Sequence, residues 1–310
     1  MDSAASEWSF HVLTRTFTEP NAAAKWAEEC RQSGESIGFI PTMGALHDGH
    51  LQLVKESVRE NDRTCVSVFV NPLQFGEAQD FESYPRTLDR DAALLASAGC
   101  DVLFTGELVQ FFPEMDGDPS RTDRIREVDP GPRALGLEGE HRSGHFEGVA
   151  TIVSRLFELI RPTHAYFGEK DYQQTLVVED LARALGSPEI RIVPTFRDDS
   201  GLAYSSRNAR LTDEEREVAT SLSRGLFTAR RAWQGGERNA ERLVALIRDE
   251  LSSPQLSVEY VELRDPSKWE RGPLVGELTT ARALVAADLG AARLIDNLAL
   301  DGAAPGEPAE

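Results

Sequence analysis

Two histidines three residues apart, in Pro41-Thr-Met-Gly-Ala-Leu-His47-Asp-Gly-His50, carry the strongest chemical signal in this sequence. A predicted strand stops at Pro41, a Gly-bearing turn follows, and a helix opens near Gly49. The first N–H groups of such a helix lack partners within it, so they can receive phosphate oxygens, and the helix dipole adds a favourable field. Gly49 leaves room for a ligand to approach the backbone between two imidazoles that can both face it. A helical zinc pair is disfavoured, because two ligands on one helix face need i, i+4 spacing.

A second cluster, Phe167-Gly-Glu-Lys170-Asp-Tyr-Gln-Gln174, also follows a predicted strand directly. Gly168 permits close backbone approach, Lys170 offers an ammonium and Asp171 could bond a ribose. The amides of Gln173 and Gln174 both donate and accept. The third cluster is Gly201-Leu-Ala-Tyr-Ser205-Ser206-Arg207-Asn208, whose two hydroxyls and guanidinium can fork a polyphosphate. Lesser signals are Asn71-Pro-Leu-Gln74, where Gln74 could orient a small polar substrate, and Asp89 with Asp91, which could hold Mg²⁺. His141 and His145 are spaced like a metal pair, but Gly144 and the lack of a third ligand argue against one. Each cluster alone also reads as an ordinary polar loop. The first two and the Gln74 element follow strand ends directly, which gives them weight, and the third lies just past the domain junction.

The elements that must position them alternate. Ser36–Ile40, Thr64–Val70, Asp101–Phe104, His164–Phe167 and Ile190–Val193 are short apolar runs of the kind buried in a parallel sheet. Leu51, Val54 and Val58 mark one helix between them, Val149 to Ile160 a second, and about Asp171 to Leu185 a third, stopped at Gly186. Strand and helix in alternation predict an α/β fold: a doubly wound, Rossmann-like parallel sheet over residues 1–195, with ligands beyond the carboxyl ends of its strands. Segment 113–133, with four prolines among many charges, reads as an exposed loop or flap. From about residue 196 to 300 the pattern becomes a smaller α+β unit: two helices, the first opened by a Thr212–Glu215 capping box, then three strands. Residues 301–310 read as a disordered tail.

Composition narrows the partners. Of 310 residues, 33 are Lys or Arg and 52 Asp or Glu, giving a net charge of −19. Phosphate-backbone binding needs clustered positive charge, so nucleic acid is excluded as a main partner. Only Lys25, Lys55, Lys170 and Lys268 are lysines. No apolar run approaches the ~20 residues of a membrane span. The first residues show no secretory leader, and Cys30, Cys65 and Cys100 are widely spaced, as in a reduced cytoplasmic protein.

In combination these residues resemble the pantoate–β-alanine ligases (pantothenate synthetases) of the HxGH nucleotidyltransferase superfamily. The likeness runs from about Gly38 to Asn297 and includes Tyr84-Pro-Arg86, Tyr260–Asp265 and Arg293–Asn297. It implies that ATP adenylates the carboxylate of (R)-pantoate, releasing pyrophosphate, and that β-alanine then displaces AMP to give pantothenate. It further implies that His47 and His50 meet the ATP phosphates and that Met43 meets the nucleotide through its backbone. Lys170, Ser205, Ser206 and Arg207 would hold the phosphates, and Gly168 and Asp171 the ribose. Gln74 and Gln174 would grip pantoate, with Arg142 near that end, and Asp91 would serve a Mg²⁺ site. Phe196 and Tyr204 stand where the family commonly has a smaller aliphatic residue and Met, beside the adenine pocket. The resemblance also implies a homodimer; and because an acyl-adenylate hydrolyses readily, segment 113–133 and the C-terminal unit are expected to act as a lid. A nucleotidyltransferase that keeps the nucleotide on its product is the alternative enzyme. An aminoacyl-tRNA synthetase would need a tRNA surface that this charge does not offer, and a non-catalytic nucleotide sensor would not need every one of these groups.

Overall fold

The computed structural model describes residues 14–76 and 78–302. Six strands pair in parallel in the order β1-β4-β3-β2-β5-β6: β1 (Arg15–Phe17), β2 (Ile37–Thr42), β3 (Arg63–Val68), β4 (Val102–Phe104), β5 (His164–Gly168) and β6 (Glu189–Val193). Alternate side chains go to opposite faces, as the pleat requires. Phe39, Cys65, Val102, Phe104 and Phe167 join one core with α1 (Pro20–Gln32), α7 (His145–Ile160) and α8 (Tyr172–Leu185). Ile40, Val66, Leu103 and Tyr166 join the other, under α2 (Asp48–Glu60) and α4 (Leu88–Ser97). Both faces are covered, hence the near-continuous apolar runs. Between these elements lie the short helices α3 (Ala78–Ser83), α5 (Leu108–Phe111) and α6 (Glu138–His141).

Strand order reverses between β2 and β5, and the two strands part there. Their pairing stops at Phe39 and Ala165, while β2 continues beside β3 to Thr42. Pro41 therefore lies inside the strand rather than ending it. The neighbouring carbonyl pattern turns odd-numbered residues toward β5, where no ladder bond remains for Pro41 to lose. The parting opens a crevice at the topological switch point.

Some expectations shift. The buried face of α2 is Leu53, Val54 and Ser57, not Leu51, Val54 and Val58; Val58 is 40% exposed. Ser57 hides in that face because its hydroxyl bonds Thr64 Oγ1 at 2.8 Å. Segment 113–133 is no free flap: Met115 and Ile125 are buried in the core. It does not line the crevice either. Helix α1 and the edge strand β1 give no clear sequence signal, since α1 packs through small residues, Ala23 and Ala27, beside Trp26 and Cys30.

The C-terminal part begins with a capping box at Thr212, where the hydroxyl and Glu215 bond reciprocally, as the sequence leads one to expect. Helices α9 (Asp213–Gln234) and α10 (Ala240–Glu250) cover one face of an antiparallel sheet, β7 (Ser257–Arg264), β8 (Arg282–Asp288) and β9 (Arg293–Ala299). The opposite face, with Tyr260, Leu284 and Ala286, packs on Leu137, Leu176 and Trp269. The three cysteines are free and buried, and among the described residues no helix is long and apolar enough to cross a membrane. The tail from 303 onward lies outside the described residues.

Candidate active site

The nucleotide- and substrate-binding residues expected from sequence all line one cavity of about 240 Å³ at this switch point, whereas Asp89 and Asp91 do not. Its floor is the start of α2. His47 is the residue before the helix, extended at φ −139°, and His50 lies one turn on. His50 Nδ1 accepts the N–H of His47 at 3.4 Å, which leaves Nε2 to carry the proton and point outward as a donor. The two rings lie 4.0 Å apart. A Cβ on Gly49 would come 3.0 Å from the His47 ring, so this glycine makes room for the imidazole as well as for a ligand.

Asp91 lies beneath the cavity, not in it. It is 0% exposed, and its carboxylate accepts the N–H groups of Ala45 and Leu46 at 3.0 and 2.9 Å and the Thr87 hydroxyl at 3.1 Å. Gly44 and Ala45 both have positive φ, 83° and 52°, and this conformation turns successive N–H groups toward the carboxylate. This geometry gives Asp91 a task besides the metal role expected of it: it clamps the turn that delivers His47.

Lys170 and Asp171 enter from the end of β5, with Nζ 3.4 Å from Oδ1 and the lysine side chain 19% exposed. Burial would raise the Asp171 pKa, but Lys170, Arg207 and Arg142 outweigh it and hold the carboxyl below its usual range. Gln173 and Gln174 divide their work. Both border the cavity, but Gln173 is buried and its amide is spent on the carbonyls of Arg133, Leu135 and Gly136, which leaves Gln174 for a ligand. On the opposite wall Ser205 caps a 3₁₀ turn by accepting the Arg207 N–H at 3.3 Å. Arg207 pairs with Asp80 at 3.1 Å, and the Ser206 hydroxyl lies 3.4 Å from Tyr84 Oη. Phe196, 38% exposed, stacks on Tyr204 at 5.2 Å, and Tyr204 lies 6.0 Å from His47, so an aromatic wall leads to the histidines.

The far end holds residues that sequence reasoning passes over. Gln74 Nε2 donates to the Met43 sulfur at 3.0 Å, and Gln74 Oε1 accepts from Asn71 at 3.1 Å. In the sequence Asn71 marks only a strand stop, but it is buried and fixes this turn. His145 also belongs here rather than to a metal pair. Its Nε2 accepts from Arg142 at 3.2 Å, so Nδ1 holds the proton and donates it to the Gln74 carbonyl at 3.0 Å. One imidazole thus ties Arg142 to Gln74.

The cavity's positive charge comes from Lys170, Arg142 and Arg207, not from imidazoles. Burial, then the neighbouring His50 and Lys170, lowers the His47 pKa to about 2, and burial lowers His50 and His145 to about 4. All three rings are neutral donors at pH 7. The stability consequence has a fixed sign. An unfolded histidine takes up a proton near pH 6.5 while the folded one does not, so stability falls as pH drops from about 6.5 to 4. For buried His145 the loss is about 3 kcal/mol across that window. Denaturant unfolding at pH 7.5 and 4.5 should therefore show a smaller pH difference for His145→Gln than for the parent. Equal differences would refute the assignment.

A parallel α/β sheet with a histidine-bearing helix start at its switch point defines a nucleotide-binding fold with an anion-binding cavity. The pantoate–β-alanine ligase family model matches residues 15–299. The pantothenate synthetase of Rubrobacter xylanophilus is 44% identical over 285 residues, 91% of this chain and 97% of its own length. The crystal structure of pantothenate synthetase from Thermus thermophilus superposes with a TM-score of 0.82 at 42% identity, covering 93% of this chain and 99% of that one. A pantoate–β-alanine ligase from Francisella tularensis, complexed with an ATP ligand and β-alanine, gives a TM-score of 0.73 at 31% identity over 94% of this chain and 99% of that one. The chain belongs to the pantoate–β-alanine ligase family. It is an ATP-dependent ligase that condenses pantoate with β-alanine.

Proposed function

We propose that the cavity performs both half-reactions in one place, with roles set by which end each substrate occupies. Pantoate lies at the Gln74–Gln174–Arg142 end, and the ATP triphosphate spans His47, His50, Lys170 and Ser205–Arg207. The base rests against Phe196 and Tyr204, near the backbone of Met43, and the ribose lies by Gly168 and Asp171. A pantoate carboxylate oxygen attacks the α-phosphorus, the bond to the β-phosphate oxygen breaks, and pyrophosphate leaves. The β-alanine amine then attacks the acyl carbon, the C–O bond to AMP breaks, and the amine surrenders a proton as pantothenate forms. No protein nucleophile is required. Positioning and charge stabilisation carry the first step: neutral imidazole N–H groups and Lys170 face the charge that develops on the phosphates.

Among the described residues no group of three or more His, Cys, Asp or Glu gathers as a ligand set. Mg²⁺ enters with the nucleotide substrate and keeps water and phosphate ligands, as it commonly does beside one or two protein carboxylates. The chain works as two units divided near residue 195: the first supplies the pantoate end and the histidine pair, and the second adds Phe196, Tyr204 and Ser205–Arg207 and covers the substrates, which keeps water from the reactive acyl-adenylate. It acts in the cytoplasm as a homodimer.

The observation that carries this reading is the meeting of the histidine pair, Lys170 and Ser205–Arg207 around one cavity at the switch point. Exchange of labelled pyrophosphate into ATP should require pantoate and Mg²⁺, and AMP should appear only once β-alanine is added. Exchange without pantoate, or a product that retains the nucleotide, would overturn it.

A further inference from the structure

Lys170 reaches the cavity from a three-residue 3₁₀ turn, Glu169–Asp171, and what holds that turn comes from the other end of the chain. Asn297 of β9 is 3% exposed, and both hydrogens of its amide are used. Nδ2 donates to the carbonyl of Glu169 at 2.9 Å and to the carbonyl of Lys170 at 2.8 Å. These oxygens belong to the two planar peptides on either side of the Lys170 Cα. Fixing both planes fixes φ and ψ at Lys170, and with them the direction in which the side chain leaves the backbone.

The amide is itself held. Arg282 of β8 donates Nη1 to Asn297 Oδ1 and Nη2 to Glu169 Oε1, the latter at 2.7 Å, and its guanidinium lies 3.9 Å over the Tyr172 ring. Since the oxygen of the Asn297 amide receives a guanidinium, its nitrogen must be the end facing the carbonyls. The donor set has one orientation only. Next to it, Asp296 makes a buried pair with Arg197, which anchors β9 to the segment carrying Phe196.

We propose that Asn297, oriented by Arg282, is a positioning residue for Lys170, so that the C-terminal sheet controls adenylation by aiming the lysine. This rests on the assignment of Lys170 to the phosphates. Asn297 borders the cavity, but its amide is spent on Arg282 and on the two carbonyls of the Lys170 turn. Its effect passes through the backbone of the Lys170 turn and should fall on the rate of adenylate formation more than on pantoate binding, because a misplacement of about 1 Å near the reacting groups can cost about 10²-fold in rate.

Asn297→Asp keeps the shape and the bond to Arg282 but turns an acceptor toward both carbonyls. Single-turnover formation of pantoyl-adenylate is measured for the parent, Asn297→Asp, Lys170→Gln and the double variant, with thermal unfolding of each. Asn297→Asp should slow adenylation about tenfold or more when Lys170 is present, with the KM for pantoate within about twofold. In the Lys170→Gln background it should add less than about twofold, because there is no ammonium left to aim. Equal losses in the two backgrounds, or no loss at all, would overturn the inference. Should Asn297→Asp fail to fold, Arg282→Lys goes through the same cycle, since lysine cannot hold Asn297 and Glu169 together; additive losses there overturn the inference as well. If Lys170→Gln alone leaves adenylation unchanged, the assignment of Lys170 falls and this inference with it. A normal Lys170 effect with additive losses removes the positioning role alone.

Discussion

Lys170→Gln is expected to slow pantoyl-adenylate formation by about 10²–10³-fold, the usual cost of deleting one charge-stabilising donor from a water-poor site. Glutamine retains most of the stem and can still donate a hydrogen bond, so the loss measures charge rather than volume. The size follows from the company Lys170 keeps. The imidazoles of His47 and His50 are neutral, and Arg207 is partly neutralised by Asp80. An ammonium beside His50 therefore supplies a large share of the field on a leaving pyrophosphate. The other lysines offer no substitute: Lys25 and Lys55 are exposed on helices, and Lys268 pairs with Asp265. The loss should appear mainly in the maximal rate of pantoate-dependent pyrophosphate exchange, with a smaller rise in KM for ATP. A change below about threefold would remove Lys170 from the chemistry.

Asp91→Ala is expected to destabilise the fold by about 2–4 kcal/mol and to reduce adenylation by more than about tenfold, because two buried N–H donors lose a charged acceptor and the turn that ends in His47 loses its clamp. Asp91→Asn separates this role from metal binding. The amide keeps one acceptor oxygen, so an intermediate loss of stability should accompany an unchanged Mg²⁺ requirement. A metal ligand would behave in the opposite way, with the Mg²⁺ requirement raised and unfolding unaffected. Denaturant unfolding and a Mg²⁺ titration of exchange, on the same protein, decide between them.

Local signals carry far in this chain. Short apolar runs mark the central strands, and turn chemistry after them marks where the ligands sit, because strand burial and helix starts are local matters. Legibility fails where a residue's partner is distant. Asp91 and Ala45 are 46 positions apart, His145 and the Gln74 carbonyl 71, Asn297 and Glu169 128, and spacing gives no hint of any of these pairs. The neutral state of the histidines is hidden for the same reason, since burial comes from tertiary packing. Gln173 and Gln174 look alike as neighbours, yet successive helix positions lie about 100° apart, and the amide of Gln173 alone reaches the Arg133–Gly136 carbonyls. Segment 113–133 misleads through its prolines and charges, which conceal two buried anchors, Met115 and Ile125.

Seven residues of β9 grip three places made long before them. Arg293 holds Glu138, Asp296 holds Arg197, and Asn297 holds the Lys170 turn. On the ribosome the residues of the parallel sheet and its helices emerge before β9, so the Lys170 turn is synthesised before the strand that tethers it. Synthesis interrupted before β9 leaves a chain that has its substrate-binding groups and lacks the strand that aims them. If Asn297 aims Lys170, full competence is the last property the chain acquires, and a product cut short before β9 should form the adenylate more slowly than the whole chain.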